Sequence, residues 1–111
     1  MDVNKNLFFG SLFEVYKSLL TSKQQGILND FLNRDISISE IAVSENSTRQ
    51  AVNDIIKRTL KTLENYEEKL KILEKFELMQ QEIDKLKTVA SGKRIDELEK
   101  IIKNMDKING V

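Results

Sequence analysis

The sequence contains no proline, and between Ser47 and Ser91 it contains no glycine either. Proline and glycine are the residues that interrupt an α-helix most strongly, so neither divides more than a third of this chain. The turns must instead use asparagine, aspartate and serine, whose side chains hydrogen-bond to their own backbone. We therefore predict an all-α fold, in a chain whose 111 residues suit a single domain.

The sequence also has neither cysteine nor histidine. It therefore lacks the two side chains that most often bind zinc, and the general base that titrates nearest to neutral pH. The remaining carboxylates and lysines are spaced like solvated helix faces, so we predict no enzymatic activity, no metal and no cofactor. Because 18 basic residues balance 18 acidic ones, any contact with nucleic acid must be local.

No apolar run approaches the roughly 20 residues of a membrane span. Residues 7–20 could be mistaken for a signal peptide, but Glu14 and Lys17 interrupt them and no small-residue cleavage site follows. We predict a cytoplasmic protein that has no membrane segment.

Helical spacing of apolar residues predicts a first helix over residues 7–20. Its main face consists of Phe8, Leu12, Val15, Tyr16 and Leu19, and further apolar residues widen that face: Phe9, Phe13 and Leu20. A face of this width is typical of a helix that packs against more than one element.

The next two helices begin with capping-box spacing, in which a hydroxyl and the side chain three residues later exchange hydrogen bonds with backbone amides. Thr21 with Gln24 opens one helix, and Ser37 with Glu40 opens a shorter one. The first of these two helices ends at residues 33–35. The residues expected to face inward are Ile27, Leu28, Phe31, Leu32, Ile38, Ile41 and Ala42.

From a cap at Ser47 or Thr48, one helix of up to about 40 residues is predicted to continue to Ser91. Its apolar stripe does not keep the spacing of a coiled coil, so it either drifts around the helix or the helix bends near residues 77–80. We expect the first part to pack on the first helix and the outer part to self-associate. The chain would then consist of a core, residues 1–63, and a helical tail, residues 64–111.

A last amphipathic helix is predicted after Gly92. Its apolar residues are Ile95, Leu98, Ile101, Ile102, Met105 and Ile108.

Residues 37–59 have the pattern of a helix-turn-helix, the motif that places its second helix in the major groove of DNA. Ala42 is small enough for the two helices to cross closely, and Asn46 tolerates the left-handed backbone of a tight turn. Val52 and Ile55 are expected to pack inward.

With that face buried, the polar and basic residues of the second helix point outward. Arginine can donate two hydrogen bonds to guanine, glutamine and asparagine can pair with adenine, and basic side chains contact phosphates. From Thr48 to Leu63 the chain has four basic residues and one acidic residue, a local net charge of +3. The predicted nucleic-acid-binding residues are Thr48, Arg49, Gln50, Asn53, Lys57, Arg58 and Lys61.

Three segments resemble the YlxM family of small bacterial helix-turn-helix proteins: "YKSLLTSKQQGIL", "SISEIA" and "TRQAVNDIIKRTLKTLENYEEKLKILEKF". The similarity covers residues 12–76. It implies a helix-turn-helix without a wing, like region 4 of bacterial sigma factors, which binds promoter DNA. It also implies a link to the signal recognition particle, because family members are commonly encoded beside the particle's GTPase. The implied partners are the particle's protein Ffh or its receptor FtsY.

By this resemblance, Arg49, Gln50 and Asn53 match the outward face of the recognition helix, and Lys57 and Arg58 match its basic continuation.

The turn departs from the family pattern. Where the family has an aromatic residue, a glycine and a valine, this chain has Glu45, Asn46 and Ser47. An unsatisfied polar group costs about 1–3 kcal/mol to bury, so we expect these side chains to be exposed.

Three hypotheses of function remain open. In the first hypothesis, the chain is a regulator that binds DNA as a homodimer, with its two recognition helices about one turn of DNA, roughly 34 Å, apart. Alternatively, it binds Ffh or FtsY without binding DNA. The third hypothesis is a structural module that only oligomerises.

Overall fold

The computed structural model describes residues 3–92 and 95–108, and the regular structure of these residues is entirely helical. In chain order the α-helices are α1 (Val3–Tyr16), α2 (Ser22–Leu32), α3 (Ile38–Ser44), α4 (Arg49–Leu70), α5 (Ile72–Gly92) and α6 (Ile95–Ile108). A short 3-10 helix, Lys17–Leu19, follows α1. The all-α prediction is therefore confirmed. None of the helices in the described residues combines the length and the apolarity needed to cross a membrane.

The chain divides into two compact units, the first ending at Leu70 and the second beginning at Lys71. In the first unit, α4 packs against α1, α2 and α3. In the second unit, α5 pairs with α6. The whole helix-turn-helix and the core that supports it therefore lie within the first unit.

The core of the first unit is apolar and draws on all four of its helices. Full burial of one aliphatic side chain stabilises a fold by about 1.5–3 kcal/mol, so this cluster is the main source of the unit's stability. Its buried apolar residues include Leu12, Phe13, Tyr16, Ile27, Leu28, Ile41, Ala42, Val52, Ile56 and Leu63.

Two contacts join α1 to α4, as expected for the first part of the predicted long helix. The Tyr16 hydroxyl donates a hydrogen bond to the Glu67 carboxylate at 2.5 Å. The ring centroids of Tyr16 and Tyr66 are 5.8 Å apart. Because Tyr16 is buried, this bond satisfies the one polar group that its ring carries into the core.

The buried face of α1 differs from the prediction at its ends. Phe8 and Leu19 were expected inside, yet they are 45% and 54% exposed, whereas Phe13 and Leu20 are buried. The chain tightens into the 3-10 helix after Tyr16, and the Leu20 amide donates to the Lys17 carbonyl at 3.0 Å. The 3-10 helix ends at Leu19, and Leu20 has an extended backbone, with a φ of -89° and a ψ of 155°, so the α-helical spacing used for the prediction no longer places these two side chains.

The prediction of one continuous helix from the turn to Ser91 is wrong. Lys71 has a left-handed backbone, with a φ of 54°, and separates α4 from α5. Its carbonyl accepts the first hydrogen bond of α5, from the Lys75 amide at 3.0 Å. Residues 77–80, where a bend was considered, lie within α5. A left-handed lysine costs roughly 1–2 kcal/mol. The break lets α4 and α5 each bury a face within its own unit.

The predicted capping box of α2 is complete, whereas at α3 only the bond to the Ser37 hydroxyl is found among the described residues. The Gln24 amide donates to the Thr21 hydroxyl at 3.2 Å, and the Thr21 amide donates to the Gln24 side chain at 3.0 Å, a complete capping box. The Ser37 hydroxyl accepts from the Glu40 amide at 3.2 Å. These bonds satisfy amides that have no partner within the first turn of a helix.

The α5–α6 pair buries one acidic side chain together with its apolar residues. Val89 and Ile101 are buried as expected for a helix pair, whereas Glu82 is only 7% exposed. One Glu82 oxygen accepts from Lys85 at 3.1 Å. The other oxygen is buried and has no hydrogen-bond partner among the described residues. Of the apolar residues predicted for the last helix, Ile102 is exposed, and the side chain of Ile95 lies outside the described part.

Candidate nucleic-acid interface

The turn between α3 and α4 is a helix-ending motif with two characteristic hydrogen bonds. The Ser47 amide donates to the Ala42 carbonyl at 2.9 Å, and the Asn46 amide donates to the Val43 carbonyl at 3.1 Å. This is the pattern of a Schellman motif, whose left-handed residue is usually glycine and sometimes asparagine. Asn46 occupies that position with a φ of 51°, as predicted.

The side chains of the turn confirm the expectation for its departure from the family pattern. Glu45, Asn46 and Ser47 are all exposed. The polar residues that replace the family's apolar ones in this turn therefore bury no polar group. Ala42, the small residue at the helix crossing, is buried with 4% exposure.

Thr48, not Ser47, caps the recognition helix. Its hydroxyl oxygen accepts a hydrogen bond from the Ala51 amide at 3.1 Å, and α4 begins at Arg49. The hydroxyl hydrogen of Thr48 is not used by this bond, so it remains able to donate. Arg49 and Gln50 lie in the first turn of the helix and are both exposed.

The buried side of α4 defines which residues point away from the core. The buried stripe is Val52, Ile56, Thr59 and Leu63. Each of these is 3% exposed or less, and the Thr59 hydroxyl donates to the Ile55 carbonyl at 2.7 Å. Ile55, predicted to face inward, is only partly buried.

A shift of two residues along an α-helix rotates a side chain by about 200°, nearly to the opposite face. Two residues before each member of the buried stripe, the chain has four exposed side chains. These form what we call the outer stripe: Gln50, Asp54, Lys57 and Lys61.

The structure thus brings three of the predicted residues onto the outer stripe and places others beside it. Arg49 and Asn53, four residues apart, lie on one flank, and Asn53 is partly buried. Arg58 follows Lys57 by about 100° of rotation and lies on the other flank. Asp54 was not predicted as a site residue. Its offset of two residues from both Val52 and Ile56 places it opposite the buried stripe.

Within residues 3–92 and 95–108, the basic side chains of this face have no ion-pair partner. The ion pairs Lys17–Glu14, Arg34–Asp30 and Lys85–Glu82 do not involve Arg49, Lys57, Arg58 or Lys61. Beyond Lys61, the same face of α4 carries the exposed acidic residues Glu64 and Glu68. The basic part therefore ends within the first two-thirds of the helix.

These features define a helix-turn-helix protein of the all-α class, with an outward-facing second helix. Comparison with known proteins agrees. Residues 3–105 match the model of a family described as "UPF0122: Putative helix-turn-helix protein, YlxM / p13 like". The chain belongs to this family, as the resemblance predicted. The description names a helix-turn-helix protein and no enzymatic activity.

Relatives of the chain match over nearly their full length. UPF0122 protein YlxM of Bacillus subtilis (strain 168) is 42% identical over 110 residues, which cover 98% of this chain and 100% of that protein. A UPF0122 protein of Bacillus velezensis is 40% identical with the same coverage. A UPF0122 protein of Shouchella clausii is 38% identical over 108 residues, 96% of this chain and 99% of the relative.

Proposed function

We propose that this protein is a cytoplasmic regulator that binds duplex DNA by placing the first part of α4 in the major groove. One observation carries the proposal. The buried stripe of α4 is opposed by an exposed face that is polar at its start, basic further on, and unpaired within the described residues. A helix-turn-helix presents such a face to DNA, with the N-terminal residues of its second helix at the base edges.

The residues of the interface have distinct chemical roles in this proposal. Arg49 and Gln50, in the first turn of α4, are placed to read base edges, and Asn53 follows one turn later. The hydroxyl of Thr48 donates to a phosphate while its oxygen caps the helix.

Further along α4, the basic side chains are proposed to contact phosphates. Lys57 and Arg58 lie on different sides of the helix, which suits contacts with both strands that border a groove. Lys61 extends the contact along the outer stripe. We propose a homodimer, because two recognition helices reach two half-sites of a duplex together.

The test is titration of labelled duplex DNA with the full chain at two salt concentrations. Loss of a guanine-reading arginine costs about 1–3 kcal/mol, so Arg49→Ala is expected to weaken binding roughly 5-fold to 150-fold. Each phosphate contact makes the affinity fall more steeply as the salt concentration rises. Lys57→Ala, which removes one such contact, should therefore make the affinity less dependent on salt.

Lys69→Ala provides the matched control for these variants. Lys69 is exposed in the last turn of α4, beyond the acidic residues, and its loss should leave binding unchanged. If the full chain binds no duplex even at low salt, the proposal of DNA binding is wrong.

A second candidate function is binding of the signal recognition particle protein Ffh or its receptor FtsY. The support is the family resemblance together with exposed apolar side chains on the second unit, among them Phe76, Leu78 and Ile102, which DNA binding does not use. In a pull-down with purified partners, Phe76→Ser should weaken capture while Lys57→Ala should not. If neither partner co-purifies and neither GTPase rate changes, this candidate is excluded.

A further inference from the structure

Asp54 occupies the middle of the face that α4 turns away from the core. It precedes the buried Ile56 by two residues, follows Gln50 by four and precedes Lys57 by three. It is exposed, and it is the one acidic residue among the sixteen from Thr48 to Leu63. A helix that enters a groove with this face therefore points a carboxylate at the bases together with Gln50.

The carboxylate of Asp54 is not occupied by its basic neighbours. Arg58 is four residues further along the same helix, a spacing at which opposite charges can pair. Asp30 and Arg34 have this spacing and form an ion pair at 3.1 Å. Among the described residues Asp54 forms no such pair, either with Arg58 or with Lys57. Both of its oxygens therefore remain available as acceptors.

A carboxylate on a DNA-binding face is unfavourable for general affinity, because it lies close to negatively charged phosphates. It is favourable at a base edge only where the base offers a donor and no competing acceptor. In the major groove, cytosine presents its N4 amino group in this way, and acidic side chains accept from it. Lysine and arginine on the same face are donors and match guanine instead.

We propose that Asp54 is a specificity-determining residue that accepts a hydrogen bond from the N4 amino group of a cytosine in the bound duplex. This inference rests on the proposed DNA binding and adds the class of base that the outer stripe selects. Asp54 thereby lowers the affinity for non-cognate sequences, because its carboxylate repels the phosphates. At the cognate base pair, the hydrogen bond to cytosine offsets this loss of affinity.

The experiment is selection of bound duplexes from a randomised library, with the full chain, Asp54→Asn and Glu64→Gln compared side by side. The unchanged chain should favour cytosine at one position of the selected site. Asparagine pairs with adenine, so Asp54→Asn should lose the cytosine preference by at least about fivefold and shift it toward adenine.

Glu64→Gln is the matched control, because it removes one negative charge from the same helix, beyond the outer stripe. It should raise the affinity for all sequences alike and keep the cytosine preference. Circular dichroism checks that both variants keep their helical content.

The possible results separate the two proposals. If Asp54→Asn only raises the affinity for all duplexes and leaves the base preference unchanged, Asp54 does no more than repel phosphate, and this inference is overturned. If the unchanged chain selects no duplex at all, DNA binding itself fails and the role of Asp54 fails with it.

Discussion

At the scale of single residues, the surroundings of a polar side chain decide whether it stabilises the fold. Thr59 is 1% exposed, but its hydroxyl bonds to the Ile55 carbonyl, so no polar group is left without a partner. Glu82 is nearly as buried, yet one of its oxygens lacks a partner among the described residues. A buried unsatisfied group of this kind costs about 1–3 kcal/mol, and more if it is charged.

Glu82→Met should therefore stabilise the protein. Methionine has a similar length, is apolar and adapts to the space between Val89 and Ile101 on the facing helices. Lys85 loses its partner at little cost, because its side chain is 60% exposed and stays hydrated. We expect the free energy of unfolding to rise by about 1–3 kcal/mol, measured by urea denaturation.

Glu77→Met is the control for this change, because Glu77 is exposed on the same helix and its replacement should have almost no effect. If Glu82→Met lowers the free energy of unfolding while Glu77→Met does not, the prediction is wrong. That result would mean that the buried Glu82 oxygen accepts a hydrogen bond in solution.

Among the helices, local sequence predicted the starts that a capping residue marks and missed boundaries that carry no such residue, namely the start of α1 at Val3 and the break between α4 and α5. The caps at Thr21 and Ser37, and the left-handed Asn46, were predicted because side-chain chemistry determines them. The break at Lys71 was missed, since a lysine between leucine and isoleucine carries no local signal. Packing of α4 and α5 within different units overrides the helical preference there.

The outer stripe of α4 also combines features that local sequence predicts with features that only packing sets. Sequence spacing identified Gln50, Lys57 and Lys61 as outward-facing, because any helix with Val52 inside turns them away. The same spacing turns Asp54 away from Val52, but the predicted site residues were restricted to neutral polar and basic side chains. What the packed first unit alone decides is that Ile56 is fully buried and Ile55 only partly buried.

At the scale of the whole molecule, the two units predict separable properties. The buried core around α4 is drawn from α1, α2, α3 and α4. A chain that ends at Leu70 should therefore keep its helical content and unfold cooperatively. If the second unit is the oligomerisation element, the full chain should sediment as a dimer and the shortened chain as a monomer.

Circular dichroism and sedimentation equilibrium of the two chains check this prediction. A shortened chain that remains a dimer would assign self-association to the first unit. A shortened chain that is unfolded would show that the first unit depends on the second for its stability, against the expectation from its own core.

Local sequence was enough to predict the fold class, the capped starts of α2 and α3, the turn chemistry and the family. These follow from the absence of proline, from capping residues and from apolar spacing, all of which act over a few neighbouring positions. The exact rotation of α4 about its axis, the 3-10 end of α1 and the break at Lys71 follow only from packing in the folded chain. Each of these depends on which surface a helix buries, and that is set by residues distant in the chain.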